Sequence, residues 1–229
     1  MPLTQTRGWI AGRERGVETY AAQDGLLLRV EGGGEYLLRA GAKLPDGERD
    51  IIYGPVIVLA QALQNVWSLH ASAALHGETL IAFLGESGAG KSTLSAYLGG
   101  QRNWRRAADD ILAVKLDAAQ LVALPRLIPQ LKLTAPPARA LPEFAPLRAV
   151  CLIQPAEASA EPTLTPMSAA QTAQALLAHT AGTRMFPPEL LQRHLEFCAQ
   201  AAPLLQGYAL TYPHRQAALP KTEELLEML

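Results

Sequence analysis

Chemistry concentrates in one stretch of this 229-residue chain, Gly85-Glu86-Ser87-Gly88-Ala89-Gly90-Lys91-Ser92-Thr93, directly after the apolar run Leu80-Ile81-Ala82-Phe83-Leu84. Glycine at Gly85, Gly88 and Gly90 lets backbone N–H groups turn inward around phosphate oxygens. Lys91 adds a point charge for the β- and γ-phosphates, and Ser92 offers a hydroxyl to Mg²⁺. The helix formers Leu94-Ser95-Ala96-Tyr97-Leu98 follow. The segment therefore reads as strand, phosphate-binding loop and helix, the layout of a nucleoside-triphosphate site.

A second group, Arg105-Arg106-Ala107-Ala108-Asp109-Asp110, leads into the apolar Ile111-Leu112-Ala113-Val114. A carboxylate at a strand edge holds Mg²⁺ through water or accepts the proton of an attacking hydroxyl, and a pair divides those two jobs.

Positioning these groups takes an α/β protein with a mixed sheet around the loop. Gly25–Val30 and Glu35–Arg39 flank the turn Glu31-Gly32-Gly33-Gly34 and read as a hairpin, so residues 1–50 form a small β-rich extension ahead of a main domain over 51–229. Pro55–Gln64 reads as a buried helix, and Trp67–Leu75 as a strand turned by His76-Gly77-Glu78 into the strand that feeds the loop. Ile111–Val114 and Ala149–Ile153 read as further strands. The prolines Pro125, Pro129, Pro136, Pro137 and Pro142 mark a surface connection, and Pro155–Pro166 an exposed loop. Ser168–Ala178 and Pro188–Leu205 carry helix-period apolar residues, and Gly207–Tyr212 is a last strand before the helix Lys221–Leu229.

Composition excludes several classes. With 49% hydrophobic and 18% charged residues the chain is globular, and a net charge of -1 carries no footprint for nucleic acid or an anionic membrane. Met1–Arg7 has no signal-peptide core and no run is long enough to span a bilayer, so the cytoplasm is the expected location. Cys151 and Cys198 lie far apart among apolar residues and read as buried reduced thiols.

The run Leu69-His70-Ala71-Ser72-Ala73, the loop Gly85–Thr93 and then Ala108-Asp109-Asp110 together resemble the kinase domain of HPr kinase/phosphorylase. That family groups with ATP-type phosphoenolpyruvate carboxykinases rather than with common P-loop NTPases. Looser similarity extends to Tyr53-Gly54-Pro55, to Ile128-Pro129-Gln130-Leu131-Lys132-Leu133 and to Tyr208–Leu229.

The resemblance implies a P-loop-containing mixed sheet of the HPr kinase type and an ATP- and Mg²⁺-dependent kinase acting on a serine-type hydroxyl of a protein or peptide. It implies His70 beneath the phosphates, Lys91 and Ser92 on the triphosphate and its metal, Asp109 as general base and Asp110 assisting the metal. Arg126 and Lys132 would lie near the site, His76 would be a turn residue, and hexamers in the parent family would make self-assembly a property to look for. Glu86 stands where the family has aspartate and Thr93 where it tends to have glutamate, and no copy of the phosphorylase signature is found. The resemblance thus carries kinase chemistry and does not extend to phosphorylase action or to HPr itself as the substrate, both of which stay open. Two other readings stand beside it: a small-molecule kinase acting on, for example, free serine, and a non-catalytic nucleotide-dependent switch.

Overall fold

The computed structural model describes residues 10–14, 17–22, 25–30, 35–38, 57–127, 140–213 and 215–229. The chain divides into two compact units, the first drawn from Met1–Ser68 with Gly182–Arg193, the second from Leu69–Ala181 with His194–Leu229.

In the first unit, β1 (Ile10–Glu14), β2 (Val17–Ala22), β3 (Gly25–Val30) and β4 (Glu35–Leu38) form a 4-stranded sheet in chain order, and the expected hairpin is β3 with β4. Helix α1 (Ile57–Leu63) follows. Arg193 Nε donates to Asn65 Oδ1 at 3.1 Å, and Trp67 meets Phe186 with ring centroids 5.8 Å apart.

The second unit is built on β5 (Trp67–His76), β6 (Thr79–Leu84), β7 (Trp104–Asp117), β8 (Gln120–Ala123), β9 (Ala145–Pro155), β10 (Thr163–Pro166) and β11 (Gln206–Tyr212). They form a 7-stranded sheet in the order β10-β11-β9-β6-β5-β7-β8. β8 also pairs with the first residues of β9, Val122 opposite Pro146 and Ala123 opposite Ala145, which closes β9, β6, β5, β7 and β8 into a small barrel. β9 is parallel to β6 and β11, whereas β5–β6 and β7–β8 are antiparallel, so the sheet is mixed as expected.

Period-two alternation places Ile81 and Phe83 of β6, Ala149, Cys151 and Ile153 of β9, and Leu210 and Tyr212 of β11 in one apolar cluster. Leu94 and Leu98 of α2 (Lys91–Gly99) and Leu219 and Leu226 of α5 (Leu219–Glu227) join it. Strands β5 and β6 read as near-continuous apolar runs because both of their faces are covered. Helix α3 (Ala169–Ala178) starts in a capping box in which Ser168 and Gln171 satisfy each other's backbone N–H, and α4 (Pro188–Ala201) follows. Both cysteines are buried free thiols.

Three sequence expectations need correction. The acidic pair is not at the edge of a short strand: β7 begins at Trp104, because Trp104, Ala107 and Ala108 are themselves buried, and it carries Asp109 and Asp110 in its interior. Thr163–Pro166, expected as loop, pairs antiparallel with β11 at the sheet edge, where a proline's missing N–H is tolerated. β8 was not anticipated, since its apolar core is only Leu121-Val122-Ala123. Tyr53-Gly54-Pro55 and the segment 128–139, with Lys132, lie outside the described residues.

Candidate functional site

The loop between β6 and α2 takes its shape from glycine. Gly85, Gly88 and Gly90 have φ of 145°, 83° and 92°, a region that L side chains enter at a cost. At Gly85 crowding adds to this, since a Cβ would stand 3.1 Å from the Ile153 carbonyl oxygen and 3.3 Å from Ala89 Cβ. Ala89 is itself buried and its N–H donates to the Glu86 carbonyl at 3.1 Å, closing the turn. Gly90 is the N-cap of α2, and its carbonyl accepts from Leu94 N–H at 2.9 Å and from Tyr212 Oη at 3.0 Å. Burial in the core pushes the Tyr212 hydroxyl pKa up, which favours the protonated donor.

Lys91 is buried and folds back over the loop, its Nζ donating to the carbonyls of Gly85 at 2.6 Å and Glu86 at 2.9 Å. It therefore cross-braces the turn that precedes it. Ser92 and Thr93 are exposed at the start of the helix.

A cavity of about 190 Å³ opens in front of this loop. Ser87, Gly88, Gly90, Lys91, Ser92 and Thr93 line it from the loop side, His70 and Ser72 from β5, and Asp110 from β7. Gly85, Glu86 and Ala89 shape the loop from behind the lining.

His70 Nε2 and Asp110 Oδ1 are 3.1 Å apart, both side chains about a third exposed. Asp109 turns to different partners and does not line the cavity. Its Oδ1 accepts from Ser72 Oγ at 3.0 Å and its Oδ2 faces an Arg106 guanidinium nitrogen at 2.7 Å, with the carboxylate almost wholly buried. Asp110 has φ of 106°, rare for a non-glycine residue. In a regular strand, neighbouring residues point to opposite faces, yet Asp109 and Asp110 reach Ser72 and His70, which lie two apart on one face of β5. The left-handed turn at Asp110 is what breaks the alternation.

Four residues of the site escaped sequence reading. Ser72 sits two residues after His70, and strand periodicity would have found it. Arg106 joins β7 to α2 through Nε to Ser95 Oγ at 3.2 Å and a second nitrogen to the Ser92 carbonyl at 3.3 Å, contacts without a local sequence signal. His179, just past α3, accepts from His70 N–H through its carbonyl at 2.7 Å. Its imidazole pKa is pushed down mainly by burial and further by the Lys91 and His70 charges, with Glu86 pulling the other way. Tyr212 comes from the far end of the chain. Of the remaining expected residues, Arg126 is exposed next to Pro125, and His76 ends β5 stacked on Trp104 at 4.4 Å. Among the described residues no group of three or more His, Cys, Asp or Glu forms a metal cluster, and no helix is long and apolar enough to cross a membrane.

No family model matches the chain, and no curated protein does. Among solved structures it is similar to the Hpr(Ser) kinase/phosphatase from Coxiella burnetii at 13% identity and a TM-score of 0.39, over 70% of this chain and 97% of that one.

Proposed function

We propose that this chain is an ATP- and Mg²⁺-dependent kinase that transfers the γ-phosphoryl group to a serine-type hydroxyl of a protein or peptide. The observation that carries the reading is the convergence, on one cavity, of the glycine turn and start of α2 with the His70–Asp110 pair. Left-handed glycines and a helix start suit phosphate oxygens, and Lys91 is within reach of the same space.

The residues present fit the implied metal. Mg²⁺ typically keeps one or two protein oxygens and takes the rest from phosphate and water. The Ser92 hydroxyl and the Asp110 carboxylate line the same cavity and would hold it. Bound there, it would neutralise developing charge on the phosphates. His70 orients the Asp110 carboxylate, Lys91 serves the triphosphate, and Asp109 takes the acceptor's proton.

The test is transfer of labelled γ-phosphate from ATP with Mg²⁺ to free serine, serine-containing peptides and cell extract, using wild type, Asp109→Asn and Asp110→Asn. Label in a peptide or protein with wild type alone supports the reading. Label in free serine alone identifies a small-molecule kinase. ATP binding without any labelled acceptor identifies a nucleotide switch and sinks the kinase.

A further inference from the structure

Two neighbouring strands bear on the two ends of the glycine loop. At its start, a Cβ on Gly85 would stand 3.1 Å from the Ile153 carbonyl oxygen of β9. At its end, Tyr212 of β11 donates through Oη to the Gly90 carbonyl at 3.0 Å. β9 and β11 run parallel with Ile153 opposite Leu210 and Pro155 opposite Tyr212, so one strand pair reaches both ends.

The tyrosine hydroxyl is more than the helix start requires. The Gly90 carbonyl already accepts from Leu94 N–H at 2.9 Å, which closes the first turn of α2. The Tyr212 ring belongs to the apolar cluster that also holds Ala89 and Leu94, and a phenylalanine ring would serve that packing. A carbonyl oxygen has two lone pairs, and Tyr212 supplies a second donor.

What the second bond adds is direction. In a planar trans peptide the C=O and the N–H point opposite ways. With the Gly90 oxygen drawn towards Leu94 and Tyr212, the N–H of the same peptide, that of Lys91, points out of the start of α2, where Gly90 and Lys91 line the cavity. Tyr212 is 2% exposed and does not line the cavity itself, so it can act on a ligand only through this peptide.

Resting on the kinase reading above, we propose that Tyr212 is a positioning residue for the triphosphate, its hydroxyl holding the Gly90–Lys91 peptide so that the Lys91 N–H faces the phosphates. It belongs to donor binding and takes no part in the proton transfer.

The experiment follows binding of Mg²⁺ with a non-hydrolysable ATP analogue by calorimetry, and transfer from ATP to a pool of serine-containing peptides. Wild type is compared with Tyr212→Phe and with Tyr97→Phe, a control on the same helix whose lost hydroxyl bond goes to Glu223 at 3.0 Å. Losing the hydrogen bond should weaken analogue binding and raise the KM for ATP by about 3- to 10-fold in Tyr212→Phe. Its kcat and its KM for peptide should stay within about twofold of wild type, the pattern of a lost uniform binding contact. Tyr97→Phe should keep the wild-type affinity. 4-Fluorophenylalanine and 4-aminophenylalanine at position 212 fill nearly the same space without and with a donor, and keep the comparison available if Tyr212→Phe folds poorly. The amino form should recover the affinity and the fluoro form should not. Wild-type affinity in Tyr212→Phe or the fluoro form, an equal loss in Tyr97→Phe, or no recovery in the amino form overturns the positioning role and leaves the kinase standing. Wild type that binds the analogue but labels no acceptor sinks the kinase, while the affinity series still decides the role of Tyr212. Wild type that binds no analogue overturns both.

Discussion

Asp110 meets His70 at 3.1 Å only because its own backbone is turned to φ of 106° in the middle of β7. Regular pleating would send the carboxylate to the face opposite Asp109. A non-glycine residue held in such a region costs about 1–3 kcal/mol. Glycine there removes that strain at an entropic cost of about 0.5–1 kcal/mol. Asp110→Gly should therefore be more stable than Asp110→Ala by roughly 1–2 kcal/mol in urea denaturation, while both lose phosphoryl transfer. Equal stabilities for the two variants would remove strain from the account of this site.

Arg106 balances a carboxylate that is nearly out of water. Deleting one partner of a buried ion pair leaves an uncompensated charge and costs about 3–5 kcal/mol. Arg106→Ala should lie near the low end of that range, about 3 kcal/mol, since the guanidinium keeps part of its surface in solvent. Adding Asp109→Asn should recover part of the loss by removing the stranded charge. Chemical denaturation of the two single variants and the double variant closes this cycle, and additive losses would count against direct coupling.

Histidine makes stability fall on mild acidification. The pKa values of His179 and His194 are both lowered, chiefly by burial. His194 Nε2 is 2.8 Å from Thr180 Oγ1 in a buried pocket. The unfolded chain binds more protons than the folded one as pH drops through about 6.5, so stability is full above that value and declines below it. The melting temperature should fall from pH 7.5 to 5.5, and less steeply in His194→Gln. An identical slope in the variant would show that His194 is not one of the titrating groups.

Burial pushes the thiols of Cys151 and Cys198 up to about 12, so at pH 8 neither is a thiolate. A disulfide reagent should leave the native protein unmodified over minutes and titrate both cysteines in guanidinium. Rapid native reaction of either thiol would mean that its packing opens readily.

Strand, loop and helix at Leu80–Leu98 were legible because each step has a local cause: an apolar run, glycines at positions of positive φ, then helix formers. The pairing of Gly25–Val30 with Glu35–Leu38 was legible from the run of glycines that separates them in the sequence. What the sequence did not disclose is long-range. Gly90 receives Tyr212, His70 is tied to His179, and Ser95 meets Arg106, contacts made by the sheet order rather than by neighbours. Nothing in the letters themselves says which of Asp109 and Asp110 is buried and which faces the cavity. One backbone angle separates them into a buried carboxylate and a cavity-facing one.

Closure of the barrel at β8 and β9 sets Ala123 and Ala145 side by side as ladder partners. The connection that leaves β8 therefore returns to the rung it left. Closing a longer loop costs only about 0.6 kcal/mol per doubling. That rung is a natural port: new chain ends or a grafted reporter domain can enter there while the register around the glycine loop after β6 stays intact.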